Sequence, residues 1–165
     1  MIKYLRQSYP IGSNWIPADN LLTTITPDRY RKWLTLLRDG NQNMVRLWGG
    51  GVYEPDVFYD ICDGMLFLSP YIIPTHLRLE LGILVWQDFQ FACGVYPAHP
   101  EFVENVRQEV IYNVGRLKHH PCIALFCGNN EGAYKFRYIT GDLQRILDYQ
   151  QVLQWGGALS SSFNV

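Results

Sequence analysis

Polar and aromatic residues collect where four short apolar runs of the sequence end. In chain order, these clusters are Asn14, Trp15 and Asp19; Arg46 and Trp48; Trp86 and Asp88; and Asn129, Asn130 and Glu131. A carboxyl group such as Glu131 can transfer protons, and an arginine such as Arg46 can keep a neighbouring carboxylate ionised. Each also has a plainer interpretation. A glutamate after two asparagines is more often a surface loop residue, and an arginine in a strand is more often a structural ion-pair partner.

The elements that carry these clusters predict an α/β fold. Apolar runs predict strands at 11–16, 43–48, 82–87 and 122–127, and helical patterns lie between them. Strands that alternate with helices favour a parallel sheet, whose strands are apolar because both faces are buried. Chemistry in such folds collects at the carboxyl ends of the strands, so the four clusters are expected at one edge of the sheet. The alternative is that they are unrelated loop residues.

Three stretches predict the helices. The first begins after Thr26, a suitable N-cap, with Pro27 at the first helical position and Gly40 at the end. Its apolar residues recur at helical spacing: Tyr30, Trp33, Leu34 and Leu37. The second is the short segment EPDVFYDICD, and the third is PEFVENVRQEVIYNVGRLKHH. The third places Phe102, Val106, Val110, Val114 and Leu117 on one side.

Composition excludes some classes of partner. The formal charge is −1 and the chain has no basic block, so no nucleic-acid partner is predicted. Prolines and charges interrupt every apolar run short of the roughly 20 residues of a membrane span, so no membrane partner is predicted either. The first residues, MIKYLRQSYP, lack the apolar core of a secretory signal. Aromatic residues make up 15% of the chain, which suits sugar-binding platforms but more often fills a core.

Cysteine and histidine positions predict no metal site. The spacing of Cys62, Cys93, Cys122 and Cys127 fits no zinc or redox motif, so all four are expected to be free thiols, which weakly favours a reducing compartment such as the cell interior. His119 and His120 are adjacent and do not share a face of a helix or strand, which makes joint ligation awkward. They are interpreted as helix-end residues, and no cofactor is predicted.

Four long motifs resemble the β-mannosidases of glycoside hydrolase family 2. They are GSNWIPADN, NMVRLWGGGVYEPDVFYDICD, ELGILVWQDFQFACGVYP and RLKHHPCIALFCGNNE, and they occur in the order found in that family. The resemblance implies a (β/α)8 barrel of the TIM type and an exo-acting enzyme that releases terminal β-linked mannose from oligosaccharides with retention. It implies that this chain holds strands 1 to 4, the first half of the barrel.

The resemblance also implies roles for individual residues. Glu131 matches the acid/base, Asn130 the neighbour that binds the sugar 2-hydroxyl, Trp48 an aromatic wall of the mannose subsite, and Arg46 an arginine beside the nucleophile; Asp19, Trp15 and Asp88 are assigned to substrate binding less directly. Retaining glycosidases use a protonated acid and an ionised nucleophile roughly 5–5.5 Å apart. Burial and the second carboxylate must therefore keep the acid protonated at working pH.

The nucleophile of the family, a glutamate on the seventh barrel strand, is expected beyond residue 165. A complete barrel takes about 250 residues, so the polypeptide as written is expected to be inactive. One alternative is a non-catalytic remnant. Another is a related retaining enzyme such as a β-galactosidase or β-glucuronidase, although RLWGGG and WQDF favour a mannosidase. The sequence does not specify an oligomeric state.

Two segments of equal length interrupt the resemblance. Residues 64–79 separate CD from ELGIL, and residues 132–147 separate GNNE from DYQ. Both begin with glycine, end with leucine and precede an acidic residue. A phase-one intron translated in frame has this pattern. The GT at its start completes a glycine codon, the TA of its TAG end completes a leucine codon, and the final G opens the codon of the acidic residue. We therefore interpret both as retained introns; the alternative is two genuine loop insertions.

Overall fold

A computed structural model of the chain describes residues 10–64, 82–97 and 99–131. Of the first interrupting segment only Gly64 is described, and the segment 132–147 lies outside the described residues. The interpretation of the two segments as retained introns therefore remains a prediction.

The described strands form one parallel sheet in chain order. They are β1 (Gly12–Trp15), β2 (Met44–Leu47), β3 (Leu84–Asp88) and β4 (Ile123–Cys127), and the spatial order is β1-β2-β3-β4 with every neighbouring pair parallel. The α/β class and the parallel order predicted from the sequence are confirmed. The β3–β4 register shifts between Val85 and Trp86, an irregularity that the apolar pattern does not reveal.

The first helix, α1 (Pro27–Asp39), begins and ends as its sequence predicts. The Thr26 side chain accepts a hydrogen bond from the Arg29 backbone, and the Gly40 N–H closes the last turn on the Leu36 carbonyl. Tyr30, Leu34 and Leu37 are buried, as expected for its apolar face. Helical spacing predicted Trp33 on this apolar face, but Trp33 is 47% exposed and lies at the edge of the face. A short 3-10 helix, Leu22–Thr24, precedes α1.

Two further helices cover the same side of the sheet. The helix α2 spans Asp56–Asp63, and α3 spans Pro100–Leu117 with His99 as its N-cap. The buried residues of α3 are Val106, Val110, Asn113, Val114 and Leu117. His119 and His120 follow Lys118, the C-cap of this helix, which agrees with their interpretation as helix-end residues. Among the described residues, no helix is long and apolar enough to cross a lipid bilayer.

The alternation of side chains gives the sheet two different faces. Trp15 pairs in register with Leu47, and Val45 with Val85; all four are buried in the core formed with α1 and α2. The opposite face carries another aligned row, Asn14, Arg46 and Trp86. Successive residues of a strand point to opposite faces, so the helix-packed residues and the polar row alternate along each strand.

Buried polar groups tie the helices to the sheet. Glu54 is 1% exposed and accepts hydrogen bonds from Trp15 Nε1 at 2.8 Å and from the Tyr30 hydroxyl at 2.6 Å. Burial, followed by this hydrogen bond to Glu54, raises the pKa of Tyr30. The Tyr59 hydroxyl donates to Gln87 at 2.7 Å, and burial raises its pKa as well. These contacts satisfy groups that would be costly to bury alone.

Another polar contact closes the amino-terminal edge of the sheet. One oxygen of Asp63 accepts from the Cys122 backbone at 2.8 Å, and the other lies 2.7 Å from His120 Nδ1. All four cysteines lie within the described residues, and each carries a free thiol. Burial raises the pKa of both Cys62 and Cys122, which keeps these two thiols protonated.

Candidate active site

Arg46 lies at the centre of a polar network near the carboxyl ends of the strands. Its guanidinium group donates two hydrogen bonds to Asp88, from Nη2 at 2.7 Å and from Nε at 3.2 Å. The same Nη2 donates to Asn130 Oδ1 at 2.8 Å, and Nη1 lies 3.5 Å from Asn14 Oδ1. The guanidinium carbon lies 5.2 Å from the centre of the Trp86 ring, within cation–π range. One cation thus connects all four strands or the loops that follow them.

Asp88 fixes the orientation of Arg46 through these two hydrogen bonds. Its side chain is 0% exposed, and besides Arg46 it accepts hydrogen bonds from Trp86 Nε1 at 2.8 Å and from the Gly49 backbone at 3.2 Å. These hydrogen bonds hold the carboxylate in one position. Because it is fully enclosed, Asp88 orients the arginine, and its oxygens are not presented to a ligand.

Asn130 and Glu131 are positioned by an extension of the sheet beyond the regular strands. Asn130 forms a parallel bridge with Ala92, its N–H donates to the Phe91 carbonyl at 2.7 Å, and its carbonyl accepts from Cys93 N–H at 2.9 Å. Glu131 follows with a positive φ of 59°, and its side chain is exposed. The loop after β3 therefore determines where the loop after β4 presents its carboxyl group.

Trp48 leaves β2 at the same edge and lies over a run of glycines. A Cβ atom on Gly50 would lie 2.1 Å from atoms of the Trp48 ring, and one on Gly49 would lie 2.4 Å from the Phe89 carbonyl oxygen. Only glycine allows the ring to lie this close to the backbone and the chain to pass this close to β3. The GGG sequence therefore keeps the half-buried indole next to the segment that contacts Asp88.

A cavity of about 340 Å³ lies against the face of the sheet that carries Asn14, Arg46 and Trp86. It is lined by Pro10, Gly12, Ser13, Asn14, Met44, Arg46 and Trp86. Asn14 and Trp86 belong to the strand-end clusters of the sequence, but neither was assigned a role in substrate binding. The strand register places both beside Arg46.

The structure brings some of the assigned residues together and separates others. Arg46 is in direct contact with both Asp88 and Asn130, with Glu131 next to Asn130 in sequence and Trp48 at the same edge. Trp15 instead points into the core, where its indole donates to Glu54. Asp19 forms an ion pair with Arg29 on α1 at 2.7 Å. The hydrogen bond from the Leu21 backbone is the largest cause of its lowered pKa, and Arg29 lowers the pKa further. Strand-end position alone did not distinguish these orientations.

Cys93 is a further residue of the site to which the sequence patterns assigned no role. Cys93 is exposed, and its sulfur lies 3.2 Å from Asn130 Nδ2 and 3.7 Å from Glu131 Oε2. The sequence signal that could have indicated a role for Cys93 is its place in the motif ELGILVWQDFQFACGVYP. As a lone cysteine without a metal-binding or redox pattern, it was interpreted only as a free thiol.

A group that could hold a cation lies at the other edge of the sheet. It consists of Asp60, Asp63 and His120. Both oxygens of Asp63 are already engaged, by His120 and by the Cys122 backbone, and His120 Nδ1 faces Asp63. This arrangement joins the end of α2 to the start of β4 and is accounted for as a structural contact.

A parallel sheet that is packed by helices on one face and carries a polar network at its carboxyl ends is part of an α/β domain, the class in which sites collect at that edge. No protein-family model matches the chain. The β-mannosidase B of Aspergillus niger is 54% identical over 120 residues, which cover 73% of this chain and 12% of that protein. The β-mannosidase B of Emericella nidulans is 51% identical over the same share.

Solved structures agree with these relatives. The β-D-mannosidase of Dictyoglomus thermophilum superposes with a TM-score of 0.63 at 43% identity, over 74% of this chain and 13% of that one. A β-glucuronidase of Parabacteroides merdae superposes with a TM-score of 0.58 at 20% identity, over 76% of this chain and 14% of that one, which supports the fold alone. The chain is therefore a homologue of the β-mannosidases, which are glycoside hydrolases, and resembles the fungal ones over about an eighth of their length.

Proposed function

We propose that this chain forms the acid/base half of the active site of a retaining β-mannosidase. The observation that carries the proposal is the contact of Arg46 with both Asn130 and Asp88, which brings the residue before Glu131 to the carboxyl ends of β2 and β3. Glu131 would protonate the departing glycosidic oxygen. In the second step it would remove a proton from the attacking water.

The finer fold proposal is the first half of a (β/α)8 barrel. Three observations support it: the strands are parallel and in chain order, the described helices pack on one face, and that face alternates with a polar row. In a closed barrel the polar row of Asn14, Arg46 and Trp86 would point into the interior. The carboxyl ends of the strands would form the substrate-binding mouth.

The nucleophile is proposed to come from outside the described residues, as the family resemblance implies. Asp88 is a poor substitute, because it is fully enclosed and bonded to Arg46, Trp86 and Gly49. Arg46 would instead stabilise the negative charge of a carboxylate supplied from across the barrel. Its position beside Asn130 would keep that charge near the sugar 2-hydroxyl.

Asn130 and Trp48 are proposed to bind the sugar. Asn130 Oδ1 is occupied by Arg46, so the amide group can offer a donor from its nitrogen. Trp48 is half-buried at the same edge and supplies a flat apolar surface suited to the face of a mannose ring. Trp15 and Asp19 are not included, because both are engaged elsewhere, with Glu54 and Arg29.

We propose further that residues 64–79 interrupt a helix cap and are an insertion. Ile83 N–H donates to the Cys62 carbonyl at 3.0 Å, and Gly82 has a φ of 47°. If Asp63 were joined directly to Glu80, Gly82 would occupy the left-handed position after α2. Ile83 would then make the six-to-one hydrogen bond of a Schellman cap. Ile83 and Cys62 are both buried, as the hydrophobic contact of that motif requires.

The experiment that tests the function is a chimera of the Aspergillus niger relative. Its homologous segment is replaced by residues 10–131 of this chain without residues 64–79. We expect hydrolysis of an aryl β-mannoside, with Glu131→Ala lowering the rate by about 10²–10⁴-fold for a poor leaving group. A dinitrophenyl mannoside needs no protonation and should suffer less in its first step. Added azide should then form a β-mannosyl azide of retained configuration.

Controls separate catalysis from folding. Glu104 is an exposed carboxylate on α3 paired with Arg107, so Glu104→Ala should leave the rate unchanged. The unmodified polypeptide of 165 residues, assayed alone, should show no turnover. If the folded chimera is inactive with Glu131 intact, the chain is a non-catalytic remnant. If Glu131→Ala hydrolyses all substrates at normal rates, the assignment of Glu131 is wrong.

A further inference from the structure

The thiol of Cys93 lies between Asn130, which is proposed to bind the sugar, and Glu131, which is proposed as the acid/base. Asn130 Nδ2 donates to Cys93 Sγ at 3.2 Å, and the thiol lies 3.7 Å from Glu131 Oε2, within hydrogen-bonding reach for sulfur. Sulfur is a weak acceptor and the thiol a weak donor, so one cysteine can serve both neighbours at once. The contacts form a continuous path from Arg46 through Asn130 and Cys93 to Glu131.

This path fixes the orientation of the Asn130 amide. The amide oxygen accepts a hydrogen bond from Arg46 Nη2 at 2.8 Å, and the amide nitrogen donates to Cys93 Sγ. Rotating the amide by half a turn would place its NH2 group against the Arg46 guanidinium, which is also a donor, and its oxygen against the thiol. The backbone of Cys93 is bound to the same residue, since its N–H donates to the Asn130 carbonyl at 2.9 Å. Asn130 is thus held by Cys93 at both its side chain and its backbone.

The backbone at Cys93 is as constrained as its side chain. Its φ is 55°, in the left-handed region that residues other than glycine rarely adopt, and Glu131 has a φ of 59°. Such conformations persist where the surroundings hold them in place. Here the surroundings are the hydrogen bonds that join Phe91 and Cys93 to Asn130.

We propose that Cys93 is a positioning residue, which holds the Asn130 amide in place and orients the Glu131 carboxyl group toward the glycosidic oxygen. The inference rests on the proposed function, because it assumes that Glu131 is the acid/base. It adds that the thiol acts through Glu131 and Asn130 without reacting itself. A misplacement of about 1 Å in a catalytic group can cost about 10²-fold in rate, so a weak contact can still have a measurable effect.

The test uses the same chimera with Cys93→Ala and Cys93→Ser. Cys93→Ala should lower kcat/KM by roughly tenfold to a hundredfold for a poor leaving group, and by much less for a dinitrophenyl mannoside, because only the former depends on protonation by Glu131. Cys93→Ser keeps a donor and an acceptor and should restore most of the loss. Cys127→Ala is the matched control, since its thiol contacts the backbone of Asn129 at 3.4 Å and not Glu131.

The pattern across substrates distinguishes the possible failures. Equal losses for both leaving groups in Cys93→Ala, with no recovery in Cys93→Ser, would mean a purely structural role and would overturn the proposal. An unchanged Cys93→Ala enzyme would overturn it too, while a severe loss in Glu131→Ala would leave the proposed function standing. If Glu131→Ala itself has no effect, the proposed function fails first.

Discussion

Deleting residues 64–79 is expected to leave the sheet intact and to raise the free energy of unfolding. In the structure Cys62 and Ile83 are hydrogen-bonded at 3.0 Å although a long segment separates them in sequence. The deletion joins Asp63 to Glu80 and lets Glu80 and Leu81 extend α2 by two residues, up to Gly82.

The magnitude follows from the cost of closing the connection. The chain between Cys62 and Ile83 becomes about fivefold shorter, and closure entropy that scales as (3/2)RT ln n makes the stabilisation about 1.4 kcal/mol. The completed cap adds to this figure. Gly82, with its φ of 47°, should be more sensitive to substitution than Gly40 in the deletion variant, because a left-handed conformation costs about 1–2 kcal/mol in residues other than glycine.

The assay is urea unfolding followed by circular dichroism at 222 nm, on the 165-residue chain and on its deletion variant. Gly82→Ala in both backgrounds measures the cap directly. Gly40→Ala is the matched control, since Gly40 ends α1 with an ordinary φ of −77° and is unaffected by the deletion.

Two results would refute the reasoning. A deletion variant that unfolds at a lower urea concentration than the full chain would show that residues 64–79 contribute to the folded core. A Gly82→Ala change that costs no more than Gly40→Ala in the deletion background would show that Gly82 does not form a cap.

Two other properties can be tested on the chain. Replacing Asp88 with alanine leaves the Arg46 cation without its buried partner, and since Arg46 retains 23% exposure, the loss should be near the lower end of about 3–5 kcal/mol. The coupling with Arg46→Met in a double-mutant cycle should far exceed that of the exposed pair Arg31–Asp28, and comparable couplings would contradict it. Stability should also fall as the pH rises above about 8.5 and again above about 10, because burial raises the folded-state pKa of Cys62, Cys122 and Tyr30 above the values of the unfolded chain. Tyr30→Phe should reduce the second decline in urea midpoints measured from pH 7 to 11, and a midpoint that does not change with pH would count against this.

Local sequence patterns predicted the elements of the fold well. Thr26, Pro27 and Gly40 determined both ends of α1, because caps depend on the conformational preferences of single residues. The four strands were predicted within two residues at each end, since their apolar runs are short and bounded by polar residues. The irregular β3–β4 register was not predictable, because it depends on pairing between strands.

The site was less predictable, because the direction of a side chain depends on tertiary contacts. Trp15 follows the same strand-end rule as Trp48, yet one step along the strand turns it into the core, where Glu54 accepts its N–H. Asp88 was expected to contact a ligand, but donors from three residues enclose it. Cys93 carried no local signal, because its contacts with Asn130 and Glu131 join distant segments.

The alternation between the two faces of the sheet has a consequence for how such a sequence can change over time. Substitutions at Val45, Leu47 and Val85 must preserve the volume of a closed core, so most of them would be eliminated for their effect on folding. The neighbouring positions Asn14 and Trp86 face the cavity and contribute little to that core. Drift or laboratory diversification can therefore explore new ligand preferences at these alternate positions while the fold remains under separate selection.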